Sequence, residues 1–258
     1  MEYKAFAFDI DGTLTVPNTH EYVPSAIKAI TDLKTLGKKI IISTGRPLHA
    51  VMEIKTYGIE PDYFACNNAL VIADVNGNIL HSMTIPKEVY EPITDYCREK
   101  GIGLTWTFEN GVFTYNINQA LIDFFSRASG NGMVPNPSED YLPFSGMITC
   151  TEEEKAELLD VFGDRVECVR GERNIFDIIP KGYSKRIGLG NLLKLIDVRP
   201  EECMAFGDSE NDVEMLRFVG MGVAMGDALE VCRRNADYVT APTYEDGILK
   251  ALQHFEIL

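Results

Sequence analysis

The chain has 258 residues, 45% hydrophobic and 24% charged, which is the composition of a globular protein with room for one large or two modest domains. Its 39 acidic and 24 basic residues give a formal net charge of -15. This charge argues against nucleic acid or an anionic membrane as a partner, whereas a few local cations could still bind a small phosphorylated substrate. Six scattered cysteines without a CxxC pair predict free thiols in a reducing cytoplasm. We expect no signal peptide, because the N-terminus lacks a charged region followed by a long apolar stretch, and no membrane span, because no stretch approaches 18 apolar residues.

Strands and helices alternate at both ends of the chain. Apolar residues predict a buried strand over residues 3–8, and helical spacing predicts a helix over 25–36 with Gly37 after it. A second strand is predicted at 39–43, and Pro47 is expected to open the next helix. The same order returns after residue 202, with strands near 202–206, 222–225 and 238–239. This alternation predicts an α/β fold with a Rossmann-like parallel sheet.

The middle of the chain has a different pattern. Asn76-Gly77 and Glu109-Asn110-Gly111 are hairpin signals, and helices predicted near 87–99, 118–129 and 152–162 alternate with short strands. Pro86 and Pro180-Lys181-Gly182 flank this region, as is typical of linkers. We therefore predict a core domain of residues 1–84 and 183–258, and an inserted α+β domain of residues 85–182.

Two carboxylates follow the first strand, in the segment Phe8-Asp9-Ile10-Asp11-Gly12-Thr13. The carboxyl ends of parallel strands form the edge at which open α/β sheets bind ligands. Asp9 and Asp11 would repel each other, so a cation with oxygen ligands such as Mg²⁺ is the natural third component. The alternative is an acidic turn that caps a helix, since Asp-Gly alone is a common turn.

The segment Gly207-Asp208-Ser209-Glu210-Asn211-Asp212 follows another apolar strand. Asp208 occupies the position on its strand that Asp9 occupies on the first, so neighbouring strands would bring them together to complete a metal site. Asp212 lies about one helical turn further on. The alternative is a capped helix start with acidic residues that suit the helix dipole, and both interpretations can hold together.

Two further segments could bind an anion. Ser43-Thr44-Gly45-Arg46 leads from the second strand towards a helix, where backbone N–H groups bind anions. Lys185 stands at the start of a predicted helix, where its charge opposes the helix dipole and a bound phosphate would explain it. Taken alone, the segment 43–46 is equally well explained as a polar loop. Lys185, taken alone, is better explained as a solvated lysine.

In this order, FDIDGTL, ISTGRP, YSK and GDSENDVEML resemble the haloacid dehalogenase superfamily, and more narrowly its Cof-type phosphatases with a C2-type (IIB) cap. The resemblance implies that Asp9 is the nucleophile and that Asp11 is the general acid and base. It implies a Mg²⁺ site, and it implies a set of side chains and backbone groups that hold the phosphoryl oxygens. The implied metal residues are Asp9, Asp11 through its backbone carbonyl, Asp208 and, in or next to the shell, Asp212. The implied phosphate-binding residues are Thr44, Gly45, Arg46, Lys185 and Asn211.

The chain departs from the family pattern at a few positions. Asn68 stands where similar proteins have glycine, and Tyr183 and Arg186 flank Lys185 where small residues are more usual. The inserted domain is implied to be a cap that closes over the site and selects the leaving group. Its candidate substrate contacts are Trp106, Phe108, Tyr115 and Asp177, although packing in the cap's own core is the better explanation of the aromatic residues.

Three functions remain open from the sequence. The favoured one is a Mg²⁺-dependent phosphatase for small phosphorylated metabolites such as sugar phosphates, a phosphoric monoester hydrolase. A sugar phosphomutase shares the nucleophile, and a non-catalytic protein that binds a phosphorylated ligand could use the same scaffold. The substrate and the oligomeric state do not follow from the sequence.

Overall fold

The computed structural model describes residues 2–17, 19, 21–109, 111–127, 141–170 and 174–258. The chain divides into two compact units, Met1–His81 with Ser184–Leu258 and Ser82–Tyr183. The predicted insertion, residues 85–182, lies inside the second unit. Its predicted role as a cap stays a prediction.

Strands and helices are numbered separately in chain order. The strands are β1 (Ala5–Phe8), β2 (Lys39–Ser43), β3 (Tyr63–Cys66), β4 (Val71–Asp74), β5 (Ile79–Ser82), β6 (Gly103–Phe108), β7 (Gly111–Asn116), β8 (Ser145–Thr149), β9 (Val166–Arg170), β10 (Ile175–Pro180), β11 (Cys203–Gly207), β12 (Met221–Ala224) and β13 (Tyr238–Val239). The α-helices are α1 (Pro24–Thr35), α2 (Leu48–Val51), α3 (Lys87–Lys100), α4 (Gln119–Arg127), α5 (Glu152–Phe162), α6 (Lys185–Leu195), α7 (Val213–Phe218), α8 (Glu230–Asn235) and α9 (Gly247–His254). Short 3₁₀ turns occur at Met52–Tyr57, Pro200–Glu202, Glu210–Asp212 and Thr243–Glu245.

In the described residues, eight strands form a sheet in the order β13-β12-β11-β1-β2-β3-β4-β5. The pairs from β13 to β3 are parallel, and β4 runs antiparallel to β3. The predicted α/β fold with a parallel-sheet core is confirmed. The Asn76-Gly77 turn signal lies between β4 and β5, at the edge of this sheet.

The centre of the sheet is built from strands that are buried on both faces. Every residue of β1 is buried, as an uninterrupted apolar run predicts. Phe8 is in register with Ile42 of β2 and with Phe206 of β11, and the rings of Phe8 and Phe206 stack 5.0 Å apart. The three strands therefore end at one level, and the residues that follow them share one edge of the sheet.

The second unit contains an antiparallel sheet in the order β7-β6-β8-β10-β9. Trp106 and Phe108 are buried in the core of this unit, where the indole N–H of Trp106 donates to Thr94 Oγ1 at 2.8 Å. Core packing, the alternative explanation of these two aromatic residues, is therefore correct. Tyr115 packs half-buried against the same core. Asn110 of the hairpin signal and residues 128–129 of the helix predicted near 118–129 lie outside the described residues.

None of the helices in the described ranges combines the length and the apolar character that a membrane crossing demands.

Candidate active site

Asp9 follows β1 directly and is almost fully buried, with 5% of its surface exposed. The chain then turns tightly, because the carbonyl oxygen of Ile10 accepts bonds from the N–H groups of Thr13 and Leu14 at 3.2 and 2.9 Å. Gly12 sits in this turn with a φ of 82°, a conformation that glycine adopts without strain. The turn leaves the carboxylate of Asp9 at the carboxyl edge of the sheet.

Asp208 and Asp212 belong to the segment after β11. Both side-chain oxygens of Asp212 are engaged: Oδ2 accepts from the backbone N–H groups of Asp208 and Ser209, each at 3.1 Å, and Oδ1 accepts from Lys185. Asp208 accepts from Ser209 Oγ at 3.0 Å and from Thr13 Oγ1 at 3.4 Å. The capping interpretation of this segment is therefore correct for Asp212, and it coexists with a position in the site.

The three carboxylates of Asp9, Asp208 and Asp212 form one cluster. Each offers an oxygen, and these oxygens lie within 4.8 Å of one another. Carboxylate oxygens are the ligands that hard divalent cations such as Mg²⁺ prefer in proteins. The donor set and its spacing thus fit the predicted metal.

Lys185, the first residue of α6, lies buried within this cluster. Its Nζ donates to Asp9 Oδ1 and to Asp212 Oδ1, both at 2.7 Å, and its side chain has no exposed surface. Three ionised carboxylates and one ammonium group leave two negative charges, which a divalent cation would neutralise. Burying such charges without a partner is unfavourable. All three carboxyl groups can therefore be ionised together only when such a cation is bound.

The pKa values of the cluster respond to this imbalance. Burial raises the pKa of Asp9 above its usual range, the ammonium group of Lys185 opposes the rise, and the charge of Asp212 adds to it. Burial also raises the pKa of Asp208, and the nearby carboxylates of Asp9 and Asp212 add to the rise. A cation bound here would favour the ionised forms.

The loop after β2 contains the predicted phosphate-binding residues Thr44, Gly45 and Arg46. Thr44 is fully buried, and its Oγ1 accepts the backbone N–H of Arg46 at 3.1 Å. Gly45 is half-buried between them. The guanidinium group of Arg46 binds the carboxylate of Asp11.

The turn after β3 contains Asn68, at which the sequence departs from the family pattern. Asn67, Asn68 and Ala69 have φ angles of 53°, 57° and 66°, and this left-handed run reverses the chain into antiparallel β4. Asparagine tolerates this conformation better than most residues, so Asn68 can replace glycine there. Asn211 Nδ2 donates to Asn68 Oδ1 at 2.9 Å, which links this turn to the segment after β11.

Thr243 and Asp227 support the first turn and were not found from the sequence. Thr243 Oγ1 donates to the carbonyl oxygen of Gly12 at 2.6 Å, and the Thr243 N–H donates to Asp227 Oδ1 at 3.0 Å. Thr243 lies 231 residues from Gly12 along the chain, and no local pattern signals a contact of that range.

A sequence model of haloacid dehalogenase-like hydrolases matches residues 6–252. The chain belongs to this family, which confirms the predicted superfamily. It is 28% identical to the 5-amino-6-(5-phospho-D-ribitylamino)uracil phosphatase of Bacillus subtilis, with 99% of each chain covered. It is also 28% identical to a Streptococcus pyogenes protein named as a bifunctional phosphatase/peptidyl-prolyl cis-trans isomerase, where the match covers 99% of this chain but only 54% of that protein.

Among solved structures, a sugar phosphatase of haloacid dehalogenase subclass IIB has a TM-score of 0.89 and 32% identity, covering 99% of this chain and 100% of that one. This likeness supports both the fold and the predicted subclass. The names of these relatives agree with the predicted enzyme class, a phosphoric monoester hydrolase.

Proposed function

We propose that this protein is a Mg²⁺-dependent phosphatase that hydrolyses small phosphate monoesters through an aspartyl-phosphate at Asp9. The observation that carries the proposal is the cluster of Asp9, Asp208 and Asp212 with the buried ammonium group of Lys185 in it. Two relatives are named as phosphatases of small phosphorylated compounds, and these names support the same enzyme class.

The metal would be held by Asp9 and Asp208, with the backbone carbonyl of Asp11 as the resemblance implies. When bound, it would supply positive charge that offsets the charge of the transferring phosphoryl group. Asp212 has both oxygens engaged by Lys185 and by backbone N–H groups. We therefore assign Asp212 to holding Lys185 and the turn at Asp208 in place, next to the metal ligands.

The first chemical step is an in-line displacement at phosphorus. A carboxylate oxygen of Asp9 forms a bond to phosphorus while the bond from phosphorus to the leaving oxygen breaks. The carboxyl group of Asp11 gives its proton to that leaving oxygen, so the alcohol departs neutral. Thr44, Gly45, Lys185 and Asn211 are proposed to hold the phosphoryl oxygens, since positioning and charge stabilisation are the protein's main contributions to this reaction.

The second step returns the enzyme to its starting state. The carboxylate of Asp11 takes a proton from a water molecule, and the water oxygen forms a bond to phosphorus. The bond between phosphorus and Asp9 breaks, which releases inorganic phosphate and restores the carboxylate. Asp11 then holds the proton that it needs for the next turnover.

The inserted unit is proposed to select the leaving group. Trp106 and Phe108 are excluded as its contacts because they are buried in that unit's own core. The relatives carry different names, one for a ribitylaminouracil phosphate and one for a sugar phosphate. We infer a small phosphorylated metabolite, and a phosphate-release screen across a metabolite panel, ranked by kcat/KM, would identify it.

Release of p-nitrophenol from p-nitrophenyl phosphate tests the proposed class. We expect activity with Mg²⁺, loss of activity in EDTA, and a fall of at least about 1,000-fold in Asp9→Asn, because the nucleophile is lost. Asp197→Asn, at an exposed position with a φ of 55°, is the matched control and should keep full activity. An Asp9→Asn variant as active as the unmodified protein would overturn the mechanism.

A further inference from the structure

Arg46 makes a bidentate contact with the carboxylate of Asp11. Its Nε donates to Asp11 Oδ2 at 2.9 Å, and its Nη2 donates to Asp11 Oδ1 at 2.5 Å. Both carboxylate oxygens and two neighbouring guanidinium N–H groups take part, which is the bidentate geometry that only arginine provides. This contact fixes the plane of the Asp11 carboxylate as well as its distance.

The arginine is the better-anchored partner of this pair. Its side chain is 20% exposed, whereas that of Asp11 is 56% exposed. The Arg46 N–H donates to Thr44 Oγ1 at 3.1 Å, and the Arg46 carbonyl oxygen accepts from the Asn67 N–H at 3.0 Å. The guanidinium group therefore extends from a backbone held between the ends of β2 and β3.

Asp11 needs such an anchor. An exposed aspartate on a turn has several rotamers available, and holding one of them has an entropic cost. Proton transfer to a leaving oxygen requires the carboxyl group within hydrogen-bond reach and in the correct orientation. A rigid, partly buried guanidinium group supplies that orientation before the substrate arrives.

We propose that Arg46 is a positioning residue for the proton-transfer group Asp11, and that this role, rather than phosphate binding, is its contribution to catalysis. The proposal rests on the proposed phosphatase function. It replaces the role in phosphate binding that the family resemblance implies for Arg46. It predicts that loss of Arg46 damages only the steps in which Asp11 moves a proton.

Two substrates with different leaving groups distinguish positioning of Asp11 from phosphate binding. p-Nitrophenolate departs readily without a proton, whereas phenolate from phenyl phosphate is a poorer leaving group and depends more on general acid catalysis. The two substrates have nearly the same shape, so selection by other parts of the protein affects both similarly. The ratio kcat/KM reports the step in which the leaving group departs, even where hydrolysis of the aspartyl-phosphate limits kcat.

The experiment measures kcat/KM for both aryl phosphates in the 258-residue chain with Mg²⁺, for the unmodified protein and for Arg46→Ala, Arg46→Lys, Asp11→Asn and the double variant. For Arg46→Ala we expect a fall of about 100-fold with phenyl phosphate, the size of effect that misplacing a catalytic group produces. With p-nitrophenyl phosphate the fall should be within about 5-fold, since little proton transfer is needed. Arg46→Lys keeps the positive charge but cannot make the bidentate contact, so its kcat/KM with phenyl phosphate should lie between those of Arg46→Ala and the unmodified protein.

Two further measurements separate positioning from phosphate binding. Inhibition of the Arg46→Ala variant by inorganic phosphate should stay within about 3-fold of the unmodified protein, because no phosphate contact is lost. Adding Arg46→Ala to Asp11→Asn should lower kcat/KM for phenyl phosphate little further, because the effects of two residues that act through one another are not additive.

Equal falls with both substrates, together with weaker inhibition by phosphate, would overturn the proposal and assign Arg46 to the phosphate. Unchanged kinetics in a folded Arg46→Ala would overturn it as well. If Arg46→Ala fails to fold, the comparison of the two substrates in Arg46→Lys decides by the same criterion. An unmodified protein inactive on both aryl phosphates would instead remove the phosphatase function itself.

Discussion

Gly12 lies directly against the carboxylate of Asp208. A methyl group added at Gly12 would stand 2.4 Å from Asp208 Oδ2 and 2.7 Å from its Cγ. The contact joins the turn after β1 to the segment after β11, two parts of the chain that are 196 positions apart in the sequence and that the sheet brings together. The carboxylate of Asp208 can keep its place in the cluster only if residue 12 has no side chain.

Gly12→Ala is therefore expected to displace Asp208 as well as to strain the turn. The left-handed φ of 82° costs an alanine about 1 kcal/mol, and a carboxylate moved by about 1 Å can cost about 100-fold in rate. We expect kcat/KM for p-nitrophenyl phosphate to fall by that factor and the Mg²⁺ concentration for half-maximal activity to rise. Both are measured by steady-state kinetics across a Mg²⁺ titration.

Gly37→Ala is the matched control for this effect. Gly37 has a φ of 75°, and a methyl group added there would meet no atom within 4 Å. It should lose a similar amount of stability, about 1 kcal/mol, and no activity. Equal kinetics in the two alanine variants would show that the contact with Asp208 is unimportant.

The sheet and the ends of its strands could be predicted because they follow from local patterns. The apolar runs before Asp9 and Asp208 predict buried strands, and parallel strands present their carboxyl ends at one edge. Contacts between side chains far apart in sequence could not be predicted in this way. The bond from Lys185 to Asp212 and the pairing of Arg46 with Asp11 depend on how α6 and the loop after β2 pack, which no periodicity encodes.

Asparagine at position 208 should stabilise the metal-free protein. Burial first, and then the charges of Asp9 and Asp212, raises the pKa of Asp208. A carboxyl group whose pKa is higher in the folded than in the unfolded chain loses stabilising effect as pH rises through the folded pKa. In EDTA at pH 8, Asp208→Asn should therefore unfold at a higher temperature than the unmodified protein, by about 3 °C for each kcal/mol regained.

Thermal unfolding in EDTA and in Mg²⁺, from pH 5 to pH 8, checks this expectation. The difference in unfolding temperature between the two proteins in EDTA should shrink towards pH 5, where Asp208 of the unmodified protein is mostly protonated. Mg²⁺ should raise the unfolding temperature of the unmodified protein more than that of Asp208→Asn, because the variant lacks a ligand. A variant less stable than the unmodified protein in EDTA at pH 8 would contradict the assignment of unfavourable charge to this cluster.

Removal of the ammonium group of Lys185 should have the opposite effect on stability. Lys185→Met leaves Asp9 and Asp212 buried without their shared cation, and loss of one partner from a buried ion pair costs about 3 kcal/mol. Urea unfolding in EDTA at pH 7 measures the change. Lys194→Met, at an exposed position of the same helix, is the control and should change the free energy of unfolding by less than about 0.5 kcal/mol. Equal free energies in the two methionine variants would mean that the bonds of Lys185 contribute nothing net.

Asn68→Gly tests the link between the turn after β3 and Asn211. The φ of 57° suits glycine, so the variant removes the bond that Asn68 Oδ1 accepts from Asn211 Nδ2 with little change in backbone strain. Asn211 is proposed to hold a phosphoryl oxygen, and a side chain that loses its orienting bond binds less well. We expect the inhibition constant of inorganic phosphate and KM to rise by about 5- to 10-fold, which corresponds to the net value of one hydrogen bond, about 1 kcal/mol.

Asn174→Gly is the control, because Asn174 has a similar φ of 63° and lies in an exposed turn of the second unit. Asn68→Gly should lose more stability than Asn174→Gly, because Asn68 is buried and bonded to Asn211, and only Asn68→Gly should change phosphate inhibition. Asn68→Asp keeps the acceptor for Asn211 and so should preserve its orientation, but its added negative charge should weaken phosphate binding further. If Asn68→Gly bound phosphate as tightly as the unmodified protein, the bond between Asn68 and Asn211 would have only a structural role, and the turn after β3 would not belong to the phosphate site.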